Sequence, residues 1–132
     1  MFYYPGLKPV LKGGLMSAQN QVTLIGRLIR DPEVDEVGKG KKYLKANLSL
    51  AVRNIKKKSK EGENTPDADF IDGIVAWGKQ AEFAEKYLEK GRMIVVHGEL
   101  QPGRWKDKED KSHYRLTILA NSIQPLDSRK KL

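Results

Sequence analysis

Residues 69–90 read DFIDGIVAWGKQAEFAEKYLEK, and this stretch decides the fold because its pattern changes at Gly78. Asp69–Trp77 is rich in apolar and β-branched residues, which predicts a strand. Lys79–Lys90 carries apolar residues at helical spacing between Glu and Lys, which predicts the only strong helix of the chain. The helix residues that we expect to pack on the core are Ala81, Ala84, Tyr87 and Leu88.

Two further strands precede this strand–helix unit and two follow it. Their predicted bounds are Val22–Ile29, Tyr43–Arg53, Met93–Leu100 and His113–Ile123. Gly26 and Gly98 lie inside strands, at positions suited to the corners of a barrel. Three strands, one helix and two strands are the element order of an OB-fold. The sequence therefore predicts an all-β OB-fold, a five-stranded Greek-key barrel with one α-helix between strands 3 and 4.

Composition limits the classes of function. The chain has 132 residues, the size of one small domain, and it has no Cys, which excludes disulfides, thiol nucleophiles and Cys-ligated metals. No apolar run is long enough for a membrane span. His97 and His113 have no matching ligands at metal-site spacing, and no phosphate-binding glycine loop is present. We therefore expect no catalytic residues, no metal and no cofactor, in a protein that is not an enzyme.

The positive charge is concentrated in one segment. The formal net charge is +8, and nine basic residues with no acidic residue lie between Lys39 and Lys60. Such a segment is typical of a polyanion binder. A solvated loop that maintains solubility is the alternative interpretation of the same charges.

Three aromatic residues are candidates for contacts with nucleic-acid bases, because single-strand binders combine cations with flat side chains. Phe70 and Trp77 begin and end the third strand, and Trp105 lies between Arg104 and Lys106. Strict alternation places Phe70 and Trp77 on opposite faces unless a bulge intervenes at Gly73.

Four stretches together resemble the bacterial single-stranded DNA-binding proteins. They are residues 20–33 (NQVTLIGRLIRDPE), 69–82 (DFIDGIVAWGKQAE), 87–91 (YLEKG) and 98–105 (GELQPGRW), in the order of the family. The resemblance covers residues 20–126. It implies an OB-fold that forms a homotetramer, less often a dimer, and coats single-stranded DNA during replication, recombination and repair, in the cytoplasm with the nucleoid.

The resemblance also implies roles for individual residues. It implies that Phe70, Trp77 and Trp105 stack on bases. Ile55 is included in this set, because it stands where the family often has an aromatic residue. An aliphatic side chain covers a base but lacks the π-surface. The basic residues that we expect to contact phosphates are Arg27, Lys45, Arg53, Lys56, Lys57, Lys58, Arg104 and Lys106.

The two ends of the chain lie outside the stretch that resembles the family. We expect residues 1–19 to be a flexible extension; the alternative is an arm that packs on a neighbouring subunit through Phe2, Tyr3 and Tyr4. Residues 127–132 form a short basic tail, whereas the family usually ends in an acidic tip that recruits repair and replication enzymes. Recruitment through such a tip is not expected, whether an acidic tail was removed or the chain is a tail-less paralogue or a mobile-element version.

Two alternative functions remain open from the sequence. One is an RNA-binding OB-fold or a primosome-type dimeric paralogue. The other is an adaptor protein, in which Phe70, Trp77 and the Tyr-rich arm bind protein instead of bases.

Overall fold

The computed structural model describes residues 18–54 and 67–127. Its elements are β1 (Val22–Leu28), β2 (Glu33–Val37), β3 (Tyr43–Arg53), β4 (Ala68–Trp77), α1 (Lys79–Tyr87), β5 (Met93–Lys106) and β6 (Ser112–Pro125). Several predictions lie outside the described residues: the extension up to residue 17, the roles of Ile55, Lys56, Lys57 and Lys58, and the tail beyond Asp127.

Five of the strands form a closed ring. The sheet order is β1-β5-β6-β4-β3-β2, and β1 also pairs with β3 at Arg27–Ala51 and Leu28–Leu50. β4 and β6 are parallel, and the other pairs in the ring are antiparallel. The helix α1 lies between the third and fourth strands of the ring. This arrangement confirms the predicted OB-fold.

β2 is a strand that the sequence analysis did not predict. It pairs with the outer edge of β3, from Glu33–Asn47 to Val37–Tyr43. Val34 packs against the core, while the charged residues of β2 are exposed. The alternation is short and dominated by acidic residues, which are common on edge strands because they discourage pairing with other chains.

The long hairpin and the helix also differ from their predicted bounds. β5 continues beyond the barrel and ends at Lys106, and β6 begins at Ser112, so the hairpin is longer than expected. The helix ends at Tyr87, and Leu88 is already extended but buried. The prediction that Tyr87 packs in the core is wrong, because its side chain is exposed and lies against Phe83 at a ring distance of 5.2 Å.

The core fills the ring and the space under α1. The largest fully buried side chains are Leu48, Leu50, Ile74, Ile94 and Val96. Ala81 and Ala84 are also fully buried, and their small side chains let the helix lie close to the barrel. These residues form one contiguous apolar cluster, to which the strands contribute alternating residues.

Gly26 pairs with β5 and directly precedes Arg27, where β1 pairs with both β5 and β3. A Cβ atom at this position would lie 2.5 Å from the carbonyl oxygen of Ala51. Because the obstacle is backbone, it can be relieved only by moving one strand away from the other. Ring closure therefore requires a residue without a side chain here.

Replacing Gly26 by Ala is expected to lower the free energy of unfolding by about 1–3 kcal/mol, as other overpacked sites do. Chemical denaturation measures the change. Gly103→Ala is the matched control, because the nearest atom to its added Cβ is the Arg115 carbonyl oxygen at 3.5 Å, an ordinary contact. Equal stability of the two variants would contradict the role of Gly26 in closure.

Candidate nucleic-acid interface

The outward face of β3 and β4 is shaped by a bulge in β4. Leu48 pairs with Ile74 and Leu50 with Ile71, so β4 has one residue more than β3 between these pairs. The irregularity includes Gly73, whose φ of +80° suits glycine. The bulge resets the alternation of side chains along β4.

Because of this reset, Phe70 and Trp77 both face outward although they are seven residues apart. Phe70 is 68% exposed and Trp77 is 42% exposed. From the sequence, Phe70 and Trp77 could share a face only if a bulge occurred at Gly73. The structure contains this bulge. Two large aromatic surfaces thus lie on one strand and one face.

The outward residues of β3 complement these rings. Lys45 pairs with Trp77, and its ammonium nitrogen lies 5.5 Å from the centre of a Trp77 ring, within the range of a cation–π contact. Ala51 pairs with Phe70, so the neighbour of that ring on β3 is a single methyl group. Arg53 pairs with Ala68 and is exposed at the end of the strand. The face therefore combines flat apolar surface with nearby positive charge.

The third aromatic candidate lies on the long hairpin. Trp105 is 50% exposed, and its ring stacks on that of His113 with centres 5.5 Å apart. Arg104 and Lys106 flank Trp105 in the chain, so alternation directs them to the opposite face of the hairpin. The guanidinium of Arg104 lies 5.8 Å from the Tyr114 ring centre, and Lys106 pairs with Asp110 at 3.7 Å. These two cations are therefore not on the Trp105 side of the hairpin.

Arg27 lies in a different environment from Lys45. Its Nη1 donates a hydrogen bond to the Gly91 carbonyl at 3.0 Å and lies 3.7 Å from a carboxylate oxygen of Asp127. Any phosphate that Arg27 contacts must compete with these groups.

The structure adds Arg115, which the sequence analysis did not select. A Cβ atom on Gly73 would lie 3.3 Å from Nη2 of Arg115, so the guanidinium lies over the β4 bulge. Arg115 is thereby on the same part of the surface as the outward residues of β4. Its place on the polar side of an alternating strand could have marked Arg115 as an exposed cation. The sequence could not show that β6 runs beside β4.

Asp72 is an acidic group at the same bulge. Its Oδ1 accepts hydrogen bonds from the Ser49 hydroxyl at 2.5 Å and from Arg30 at 3.4 Å. Arg30 thus places a positive charge beside this exposed carboxylate.

Within residues 18–54 and 67–127 no three His, Asp or Glu side chains are grouped as a metal site, and no helix is long and apolar enough to cross a membrane. His97 lies beside Thr23, with Nδ1 3.4 Å from the hydroxyl oxygen.

A comparison against protein families agrees with the fold. The model described as the single-strand binding protein family matches residues 19–126. The chain belongs to the single-strand binding protein family. The match confirms the resemblance seen in the sequence.

Individual members of the single-strand binding protein family are similar over most of the chain. Single-stranded DNA-binding protein 1 of Streptococcus pyogenes is 41% identical over 110 residues, which are 83% of this chain and 79% of that protein. The single-stranded DNA-binding protein of Thermotoga maritima is 35% identical, over 86% of this chain and 78% of its own length. Single-stranded DNA-binding protein 3 of Clostridium acetobutylicum is 39% identical, over 82% and 71%.

Proposed function

We propose that this protein binds single-stranded DNA without strong sequence preference and protects it during replication, recombination and repair. The observation that carries the proposal is the outward placement of Phe70 and Trp77 on one face, with Lys45 beside the Trp77 ring. Every base has a π-face, so stacking on these rings tolerates any sequence. Membership in the family supports the same function. We place this activity in the cytoplasm, with the DNA of the nucleoid.

The proposed mechanism is passive and involves no catalysis. Lys45, Arg53 and Arg115 neutralise phosphates and release counterions, which supplies affinity that depends on salt. Phe70 and Trp77 hold bases that are not stacked on one another. A strand held in this way cannot pair with its complement, and its backbone is shielded from nucleases.

Trp105 extends the same path onto the hairpin. Its exposed indole provides a further stacking surface for the strand. Arg104 and Lys106 contact phosphates only where the strand passes around the hairpin, since they point away from Trp105. Arg27 contacts phosphate in competition with Asp127. Lys56, Lys57 and Lys58 add positive charge, and Ile55 covers a base.

We also propose that the protein forms a homotetramer, with a dimer as the alternative. Ile25 lies on the outward face of β1 and is 52% exposed, which is unusual for an isoleucine in the middle of a strand. Burial of this side chain against other copies would remove it from water. A mass four times that of one chain, measured by light scattering, would support the tetramer, and twice that mass the dimer.

Adding oligo-dT is expected to quench the tryptophan fluorescence strongly. The chain has two tryptophans, and both are proposed to stack on bases. A duplex of the same length is the control and should quench weakly. Absence of both quenching and a mobility shift at low salt would favour the adaptor function. Preference for oligo-U over oligo-dT in competition would favour the RNA-binding alternative.

Substituting Phe70, Trp77 or Trp105 by Ala should each weaken oligo-dT binding by about 1–3 kcal/mol, the usual value of one stacked base. Tyr87→Ala is the matched control, because Tyr87 is an exposed aromatic residue on α1 instead of the β3–β4 face. Equilibrium titration measures the affinities. If the folded Trp77→Ala and Tyr87→Ala variants bind equally well, the stacking role of Trp77 is wrong.

The affinity should fall as salt is added, with a log–log slope of about −0.7 for each neutralised phosphate. Lys45→Gln and Arg115→Gln should each reduce the size of the slope by about 0.7. Lys86→Gln is the control, since this lysine pairs with Glu82 at 2.8 Å on α1. A slope that none of the substitutions changes would show that the phosphates are contacted elsewhere.

A further inference from the structure

The tip of the β5–β6 hairpin is organised around one carboxylate. Oδ1 of Asp107 accepts hydrogen bonds from the backbone N–H groups of Glu109 at 2.9 Å and Lys111 at 3.0 Å. Its other oxygen, Oδ2, lies 2.6 Å from Nε2 of His113. A single side chain therefore closes the turn and holds an imidazole ring in a fixed position.

The imidazole in turn covers the indole of Trp105. Trp105 and His113 are directly paired across the two strands, and their rings are nearly parallel, with an angle of 18° between them. Asp107, His113 and Trp105 thus form a continuous chain of contacts. Because one face of the indole lies against His113, the other face is the one available to a base.

The charges around His113 come from the turn, from β6 and from Arg104 and Lys106 on β5. Asp107 faces it directly, and the His113 hydrogen bond, followed by that of the Lys111 N–H, lowers the pKa of the Asp107 carboxyl. Asp107 is therefore ionised at neutral pH. The remaining charges near this turn are Lys106 paired with Asp110, Lys111 paired with Glu109, the exposed Lys108, and Arg115 two residues further along β6.

We propose that Asp107 and His113 are positioning residues, which orient Trp105 for stacking on a base and strengthen that contact when His113 is protonated. The proposal rests on the proposed function, because it concerns the binding of single-stranded DNA by Trp105. Protonated His113 keeps its hydrogen bond to Asp107, places a cation against the indole and adds positive charge to the hairpin. Histidine is the side chain whose charge ordinarily changes between pH 5 and 8.

The first experiment needs no DNA. In a Trp77→Phe background Trp105 is the only tryptophan, so all of the emission comes from the ring that stacks on His113. We expect the emission to fall between pH 8.5 and 5.5, because an imidazolium in contact with an indole quenches it. The fall should disappear in His113→Gln. His97→Gln is the matched control and should keep it.

The second experiment measures oligo-dT affinity over the same pH range at constant ionic strength. Lowering the pH should strengthen wild-type binding by about two- to fivefold, the equivalent of one exposed cation–π contact. His113→Gln should lose this strengthening at low pH, whereas His97→Gln should retain it. Asp107→Asn retains an oxygen for the two N–H groups but removes the charge facing His113, so it should weaken binding and alter the pH profile.

The outcomes separate the two proposals. If the wild type binds oligo-dT and His113→Gln retains its affinity and full pH dependence, the positioning role is wrong while the proposed function stands. If neither the wild type nor any variant binds oligo-dT at any pH, both the proposed function and the positioning role are wrong.

Discussion

The extra residue of β4 opposite Ser49 is the constraint on which the rest of the interface depends. Without it, Phe70 and Trp77 would project to opposite sides of the strand, and one ring would have to enter the barrel. The Ser49–Asp72 hydrogen bond at 2.5 Å and the positive φ of Gly73 hold the irregularity in place. Glycine at the bulge also leaves room for the Arg115 guanidinium above it. One local departure from regular pairing thus brings aromatic surface and positive charge together.

Closure of the ring provides the rigid support for this face. β3 contributes to both the core and the outward face. Its inward residues Leu48 and Leu50 are buried in the core, while its outward residue Lys45 lies beside Trp77. The alternation of a strand is strict, so the packing of the inward side fixes the position of the outward side. Stability and binding therefore depend on the same strand, and substitutions on its two sides should have separable effects.

Much of the fold followed from local patterns, and less of the site did. The change of period at Gly78 and the order of strands were sufficient for the OB-fold, because they depend on neighbours in sequence. β2 was missed because its alternation is short and mostly charged. Tyr87 was misplaced because it lies on the side of the helix that carries Phe83, beside the buried stripe of Ala81 and Ala84. Phe70, Trp77 and Trp105 were identified as candidates for base contacts from their places at the ends of a strand and beside cations, and from the resemblance. The place of Arg115 over Gly73, the engagement of Arg27 by Asp127, and the contacts of His113 with Asp107 and Trp105 depend on strand pairing and on side-chain geometry, which the sequence does not contain.

Photo-crosslinking would show whether single-stranded DNA lies on the β3–β4 face and the hairpin, because it locates the strand on the protein without altering a side chain. An oligonucleotide carrying 5-bromouracil would be bound, irradiated and mapped by mass spectrometry of the crosslinked peptides. We expect crosslinks at Phe70, Trp77 and Trp105. Crosslinks confined to Phe83 and Tyr87, the aromatic pair on α1, would contradict this expectation.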